Sequence, residues 1–166
     1  CPAGALSFKN EKLDICLHHC RYCMHCVTAC PAGAITLTET SQQVFQEGMA
    51  RVTKACLDGF AANSVLFINH VLNVTPFCDC WGFTSPMIVP DVGILASKDI
   101  AAIEQASIDS VKAENFIPGS LPHPYEVRDV EGHLFQKIHG KDPYLQVEMC
   151  EKLGLGERRY ELTEVE

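Results

Sequence analysis

The sequence predicts a mixed α+β or α/β protein. A cysteine-rich module spans residues 1–39, and a sheet-and-helix body spans residues 40–166. Three observations carry this expectation. Six of the ten cysteines, Cys1, Cys16, Cys20, Cys23, Cys26 and Cys30, fall within the first thirty residues. Behind them, apolar residues recur now at helical and now at strand spacing, with Gly and Pro between the runs. The chain has 166 residues, 47% hydrophobic and 20% charged, enough to bury a core and too apolar for a disordered tail.

The module opens on a repeat. Cys1-Pro2-Ala3-Gly4-Ala5-Leu6 returns as Cys30-Pro31-Ala32-Gly33-Ala34-Ile35, an offset of 29 residues. Such a repeat implies two copies of one local structure. Cys20, Cys23, Cys26 and Cys30-Pro31 form the run C-x2-C-x2-C-x3-C-P, the spacing of bacterial iron–sulfur proteins. Three thiolates two residues apart wrap a tight loop around one cluster. Pro31 suits the first turn of a helix that carries the fourth cysteine away. Zinc knuckles use paired C-x2-C units instead. Cys16-Leu17-His18-His19-Cys20-Arg21-Tyr22-Cys23 overlaps this run and matches the C-x3-C-x-aromatic-C pattern of radical S-adenosylmethionine enzymes. Cys26, Cys30-Pro31 and the repeat argue for the first reading, and the chain is too short for the barrel of those enzymes. Cys16 is then a spare thiol near the cluster or a buried small hydrophobe, and His18, His19 and His25 are solvent-facing loop residues or tune the cluster's potential.

The module resembles the two-cluster [4Fe-4S] ferredoxin, whose halves are related by pseudo-symmetry. The resemblance implies that Cys20, Cys23 and Cys26 hold one cluster, that Cys1 completes it, and that Cys30 ligates a second. The other ligands of that second cluster belong upstream of Cys1. The chain is therefore expected to hold one or two [4Fe-4S] clusters and to be the C-terminal part of a larger protein, with its N-terminal part or a companion subunit as partner.

The body follows in order. Thr40 and Gln43 form a capping box, and Phe45, Met49, Val52 and Cys56 mark the inward stripe of a helix that ends near Asp58-Gly59. Residues 64–75, rich in Val, Leu, Phe and Ile, predict a buried strand with His70 as a core histidine. Met87-Ile88-Val89 and Val92 to Ala96 predict a strand interrupted by Pro90-Asp91. Ser97 caps a helix to Ala113, with Ile100, Ile103, Ser107 and Val111 on one face. Glu104 and Asp109, five apart, do not face each other as a carboxylate pair. Pro118, Pro122 and Pro124 keep residues 117–125 irregular. Asp142-Pro143 starts a last helix with Leu145, Met149 and Leu153 inward, Cys150 in its core and Gly154 at its end. Tyr160 to Val165 is a candidate closing strand.

A second constellation, Cys78-Asp79-Cys80, follows the first body strand in a loop between Pro76 and Pro86. Strand ends of this kind carry chemistry in α/β folds. Three readings stand: a further metal site with His70 or Asp91 nearby, a structural loop, and a redox dithiol.

Several segments resemble one family: Asn73-Val74-Thr75, Cys78-Asp79-Cys80, residues 88–97, residues 102–107, and Asp142-Pro143-Tyr144 through Gly156. It is an iron–sulfur family of anaerobic bacteria and archaea, named only as a domain of unknown function. The resemblance implies a ferredoxin insert within a larger α/β domain. The run Cys20, Cys23, Cys26, Cys30 and its repeat point to electron transfer; the conjunction of module and body points to a redox metalloenzyme (an oxidoreductase) fed by the module; a structural cluster is the third reading. Thirteen Lys and Arg against 21 Asp and Glu, a net charge of -8, argue against nucleic acid and suit docking to a basic redox partner. The cysteine pattern and the lack of a long apolar run predict a cytoplasmic protein without a membrane span.

Overall fold

The structure, a computed structural model, describes residues 1–36, 39–61, 63–78 and 84–165, and the side chains of these except 39–41. The described residues form two small antiparallel sheets and five α-helices.

The module begins with a hairpin, β1 (Leu6–Lys9) and β2 (Lys12–Ile15), paired from Leu6↔Ile15 to Lys9↔Lys12. Its turn residues, Asn10 and Glu11, both have positive φ, at 49° and 63°. That is the conformation whose twist suits a two-residue hairpin. Lys9 Nζ reaches Asp14 Oδ2 at 2.7 Å across the pair. A short helix, α1 (His25–Ala29), then carries Cys26.

In the body, α2 (Glu39–Leu57) packs on α5 (Leu145–Lys152). Between them lie β3 (Phe67–Val71), β4 (Gly93–Ser97), α3 (Ile100–Ser110), a 3-10 turn (Ala113–Asn115) and α4 (Leu134–His139). β3 and β4 pair antiparallel from Phe67↔Ser97 to Val71↔Gly93, and α3 covers one face of that sheet. One core cluster joins Val71, Ile88, Val89, Val111, Leu134 and Ile138. A second joins Ala50, Ala101, Val147 and Cys150 between α2, α3 and α5. No helix among the described residues is long and apolar enough to cross a membrane.

Most predicted elements are present, with instructive differences. Residues 87–92 are not strand. Ile88 and Val89 are core residues on an irregular segment, held where Ile88 N donates to Val74 O and Ile88 O accepts from Ile117 N, each at 2.8 Å. Pro90 has no N–H to continue a ladder, so pairing starts only at Gly93. The cap of α3 is Asp99, not Ser97: Asp99 Oδ1 accepts from Ala102 N at 3.0 Å, and Ser97 Oγ accepts from Asp99 N. Tyr160 to Val165 forms no strand and is exposed. α4 was not predicted, because six residues are too few to show a period. His133 caps it through Nδ1, and Gly140 (φ 75°) ends it. The ending of α5 is as expected: Gly154 (φ 75°) places Leu155 N on Cys150 O at 3.0 Å.

The larger difference is the facing of two elements. On α2, Gln42, Gln46, Ala50, Thr53 and Leu57 turn inward, while Phe45 and Val52 are each 62% exposed and Met49 and Cys56 are exposed as well. The predicted stripe is real but faces outward, so Cys56 is not a core residue. The side chain of Thr40 in the expected capping box lies outside the described residues. On β3, Asn69 and Val71 face α3, and His70 shares the open face with Leu66, Ile68 and Leu72. His70 is thus exposed, not a core histidine. Ile94, opposite it on β4, is 62% exposed.

Candidate functional site

The two copies of the Cys-Pro-Ala-Gly-Ala repeat fold alike. In the first, Gly4 N donates to Cys1 O at 3.2 Å and Ala5 N donates to Cys1 Sγ at 3.3 Å. In the second, Gly33 N donates to Cys30 O at 3.1 Å and Ala34 N to Cys30 Sγ at 3.4 Å. Gly4 and Gly33 take φ of 63° and 58°, which a residue with a Cβ rarely adopts. The sequence identity therefore encodes one device: a turn that aims an amide at a cysteine sulfur. At Cys30 the amides of Ala34 and then Ala32 hold the thiol below its ordinary pKa. Hydrogen bonds to the charged form favour it, so the turn favours the thiolate of Cys30.

The C-x2-C-x2-C loop is turned by backbone rather than by glycine. Tyr22 and Met24 take φ of 52° and 68°, two left-handed residues alternating with Cys23. Conformations of this kind cost energy and concentrate where function requires them. Cys26 follows in the first turn of α1, braced by Thr28 N on Met24 O at 2.9 Å.

These pieces enclose a cavity of about 120 Å³ lined by Cys1, Cys20, Cys23 and Cys26, with Leu6, Ile15, Leu17 and Ile35 among its apolar walls. Cys30 and Cys16 do not line it. Among the described residues, no three or more His, Cys, Asp or Glu side chains close on one point as a single metal ion requires. A cubane makes a different demand, since each of its irons takes its own thiolate and the sulfurs stand apart around it. Four thiols, apolar walls and an amide on Cys1 Sγ fit such a group by donor chemistry.

The body grips this loop from outside. Tyr125 Oη donates to Cys23 O at 3.0 Å, and Lys141 Nζ donates to Tyr22 O. His25, half-buried, lies edge-on to Tyr125 at 5.9 Å, while His18 and His19 are exposed as expected. Burial, and after it the negative charge of Cys23 and Cys26, pushes the Tyr125 hydroxyl well above its ordinary pKa, so it remains a donor. Burial lowers Lys141, and Cys23 and Cys20 oppose that shift.

From Tyr125 an aromatic chain leads away. Phe77 lies 4.6 Å from Tyr125 and 6.4 Å from His139, and His139 stacks on Phe135 at 5.9 Å and 12°. Phe77, Phe135 and His139 border an open cleft of about 480 Å³, which Cys78 also lines. Lys141 is common to this cleft and to the cysteine loop. Burial, with Lys141 and Arg128 nearby, pushes His139 down to about 4. Cys78 is exposed, and Asp79 and Cys80 lie outside the described residues. Neither His70 nor Asp91 lines the cleft. Asp91 is a turn former, its Oδ1 accepting from Asn73 N at 2.6 Å. Glu104 and Asp109 do not pair: Glu104 accepts from Asn69, and Asp109 from Tyr144 and Tyr160.

The sequence reading did not single out His139, Lys141, Gln42 or Gln46. The one available signal was His139-Gly140-Lys141-Asp142-Pro143, a dense polar stretch bracketed by Gly and Pro.

No curated protein and no solved structure matches the chain. A family model described as a domain of unknown function (DUF362) matches residues 7–109, from β1 to near the end of α3. The matched segment includes Cys20, Cys23, Cys26, Cys30, Cys78 and Cys80, and leaves out Cys1, His139 and Lys141. With more than half of its length matched, the chain belongs to the DUF362 family.

Proposed function

We propose that this chain is an iron–sulfur protein that transfers electrons through a [4Fe-4S] cluster held by Cys1, Cys20, Cys23 and Cys26. The observation that carries the reading is the single cavity these four cysteines line, with Cys30 on a matching turn outside it. Cys30 is then a ligand of a second cluster. When bound, the cluster supplies one-electron redox chemistry. The chain's own residues stabilise the thiolates and line the cavity. Ala5 N donates to Cys1 Sγ, Lys141 sets a positive charge beside Cys20 and Cys23, and Leu6, Ile15, Leu17 and Ile35 give the cavity apolar walls.

Anaerobic reconstitution with iron and sulfide tests this. Retention of about four irons and four sulfides per filled site is expected, with an EPR signal after dithionite reduction that Cys20→Ser and Cys23→Ser abolish. A chain that retains neither iron nor sulfide refutes the proposal.

The partner reading draws support from the facing of α2 and of the sheet. A helix that turns Gln42 and Gln46 inward and Phe45 and Val52 outward suits a further layer of protein, the N-terminal part of the same protein or a companion subunit. The acidic surface suits a basic redox partner, and the exposed thiols suit a reducing cytoplasm.

A second reading, an oxidoreductase whose module feeds electrons to a site near Cys78-Asp79-Cys80, is favoured by one observation. Lys141 lines the cleft beside Cys78 and also donates to the Tyr22 carbonyl of the cysteine loop. Replacing Cys78 and Cys80 by Ser then lowers metal content beyond the module's own share. Unchanged metal content and unchanged thermal stability remove its support.

A further inference from the structure

Four buried side-chain polar atoms lack a hydrogen-bond partner among the described residues, and three of them belong to the walls of one cleft. They are Gln42 Nε2, Gln46 Oε1 and His139 Nδ1, and only Gln105 Oε1 lies elsewhere. An unpaired buried polar atom is destabilising, so three around one opening need a physical reason. Gln42 and Gln46 stand one turn apart on α2, where Leu or Met at both would fill the same volume at no such cost. The cleft holds about 480 Å³, the range of small-molecule sites, and its other walls include Phe77, Phe135 and Pro143.

The donor and acceptor pattern narrows the chemistry. Gln42 Nε2 donates, Gln46 Oε1 accepts, and neutral His139 does one or the other through Nδ1 according to its tautomer. A simple carboxylate offers acceptors only and leaves Gln46 Oε1 unsatisfied. An amide or lactam edge offers both. The ring surface that Phe77 and Phe135 bring to the cleft favours a planar body.

We infer that the cleft between α2, the Thr75–Cys78 segment and residues 139–143 binds a small planar molecule with an amide or lactam edge, such as a fused heterocyclic ring, read by Gln42, Gln46 and His139. The site is independent of the cluster proposal, since none of its three reading residues lines the cysteine cavity.

The test uses the full chain with lumichrome and nicotinamide as probes, benzoate as the acceptor-only control, and melting temperature and iron content as parallel readouts. Saturable 1:1 binding of at least one of the two probes is expected, with benzoate at least about tenfold weaker, one lost hydrogen bond in a desolvated site. Gln42→Met, Gln46→Met and His139→Phe each weaken binding about tenfold or more while melting temperature holds or rises, because each removes an unpaired polar atom. Iron content stays unchanged in all three, which separates failure of this site from failure of the cluster. The inference is overturned if neither probe binds saturably, if benzoate binds as tightly, or if the three variants melt lower while binding is unaltered.

Discussion

His139 shows what burial does to one side chain. It is pushed down to about 4 from an ordinary 6.5, first by burial and then by the charges of Lys141, Arg128 and His133. A histidine held neutral in the fold takes up its proton more readily once unfolded. Stability from this group is therefore full above pH 6.5 and declines as pH falls toward 4, by on the order of 3 kcal/mol. Denaturant melts of the parent and His139→Phe across that window should show the parent's extra slope vanish in the variant. Lys141 is the second telling residue. Lys141→Met keeps the stem and removes the charge beside Cys20 and Cys23 together with the donor to Tyr22 O. A reconstituted cluster should then bleach several-fold faster in air, read from its visible absorbance, with the far-UV spectrum unchanged. Equal bleaching rates would detach Lys141 from the cysteine loop.

At the scale of elements, the Cys-Pro-Ala-Gly-Ala turns isolate the value of one backbone angle. A Cβ on Gly4 or Gly33 meets nothing within 4 Å, so substitution there costs only the strain of positive φ. Gly33→Ala should cost about 1 kcal/mol, measurable by denaturant melts, and should weaken the amide bond onto Cys30 Sγ. A neutral result would place that turn's conformation elsewhere. The cap of α3 does two jobs at once. Asp99 Oδ1 accepts from Ala102 N, and Oδ2 accepts from Glu157 N at 2.9 Å, tying the segment after α5 to the start of α3. Asp99→Ala should exceed the usual cap loss of about 1 kcal/mol and increase proteolysis after Gly156. Loss of the cap alone, with proteolysis unchanged, would make the Glu157 bond incidental.

On the whole molecule, the apolar surface is arranged against the usual rule. Phe45 and Val52 on α2 and Ile68 and Ile94 on the sheet face away from both core clusters. Because their burial contributes little to this chain's own stability, Phe45→Gln with Val52→Gln should shift unfolding by no more than about 0.5 kcal/mol. Dye binding to exposed apolar surface and self-association in sedimentation should both fall. A large loss of stability would mean that this face is packed within the chain after all.

What could be read from the sequence alone was whatever is local in the chain. The repeated Cys-Pro-Ala-Gly-Ala turn, the spacing of Cys20, Cys23 and Cys26, the long α2, the Gly154 stop and the burial of Cys150 depend on neighbours a few residues away. Periodicity could show that α2 has an apolar stripe but not which way it faces, since that depends on which partner it meets, and here α5 meets Ala50 instead. Alternation likewise could not say that β3 turns Asn69 and Val71, rather than His70, toward α3. The resemblance already grouped Cys1 with Cys20, Cys23 and Cys26, and the tertiary structure sets all four around one cavity, but only the tertiary structure brought Gln42, Cys78, His139 and Lys141 to another. Residues up to about a hundred positions apart meet there only because the core clusters fold the chain back on itself, and such long-range contacts leave no period in a sequence.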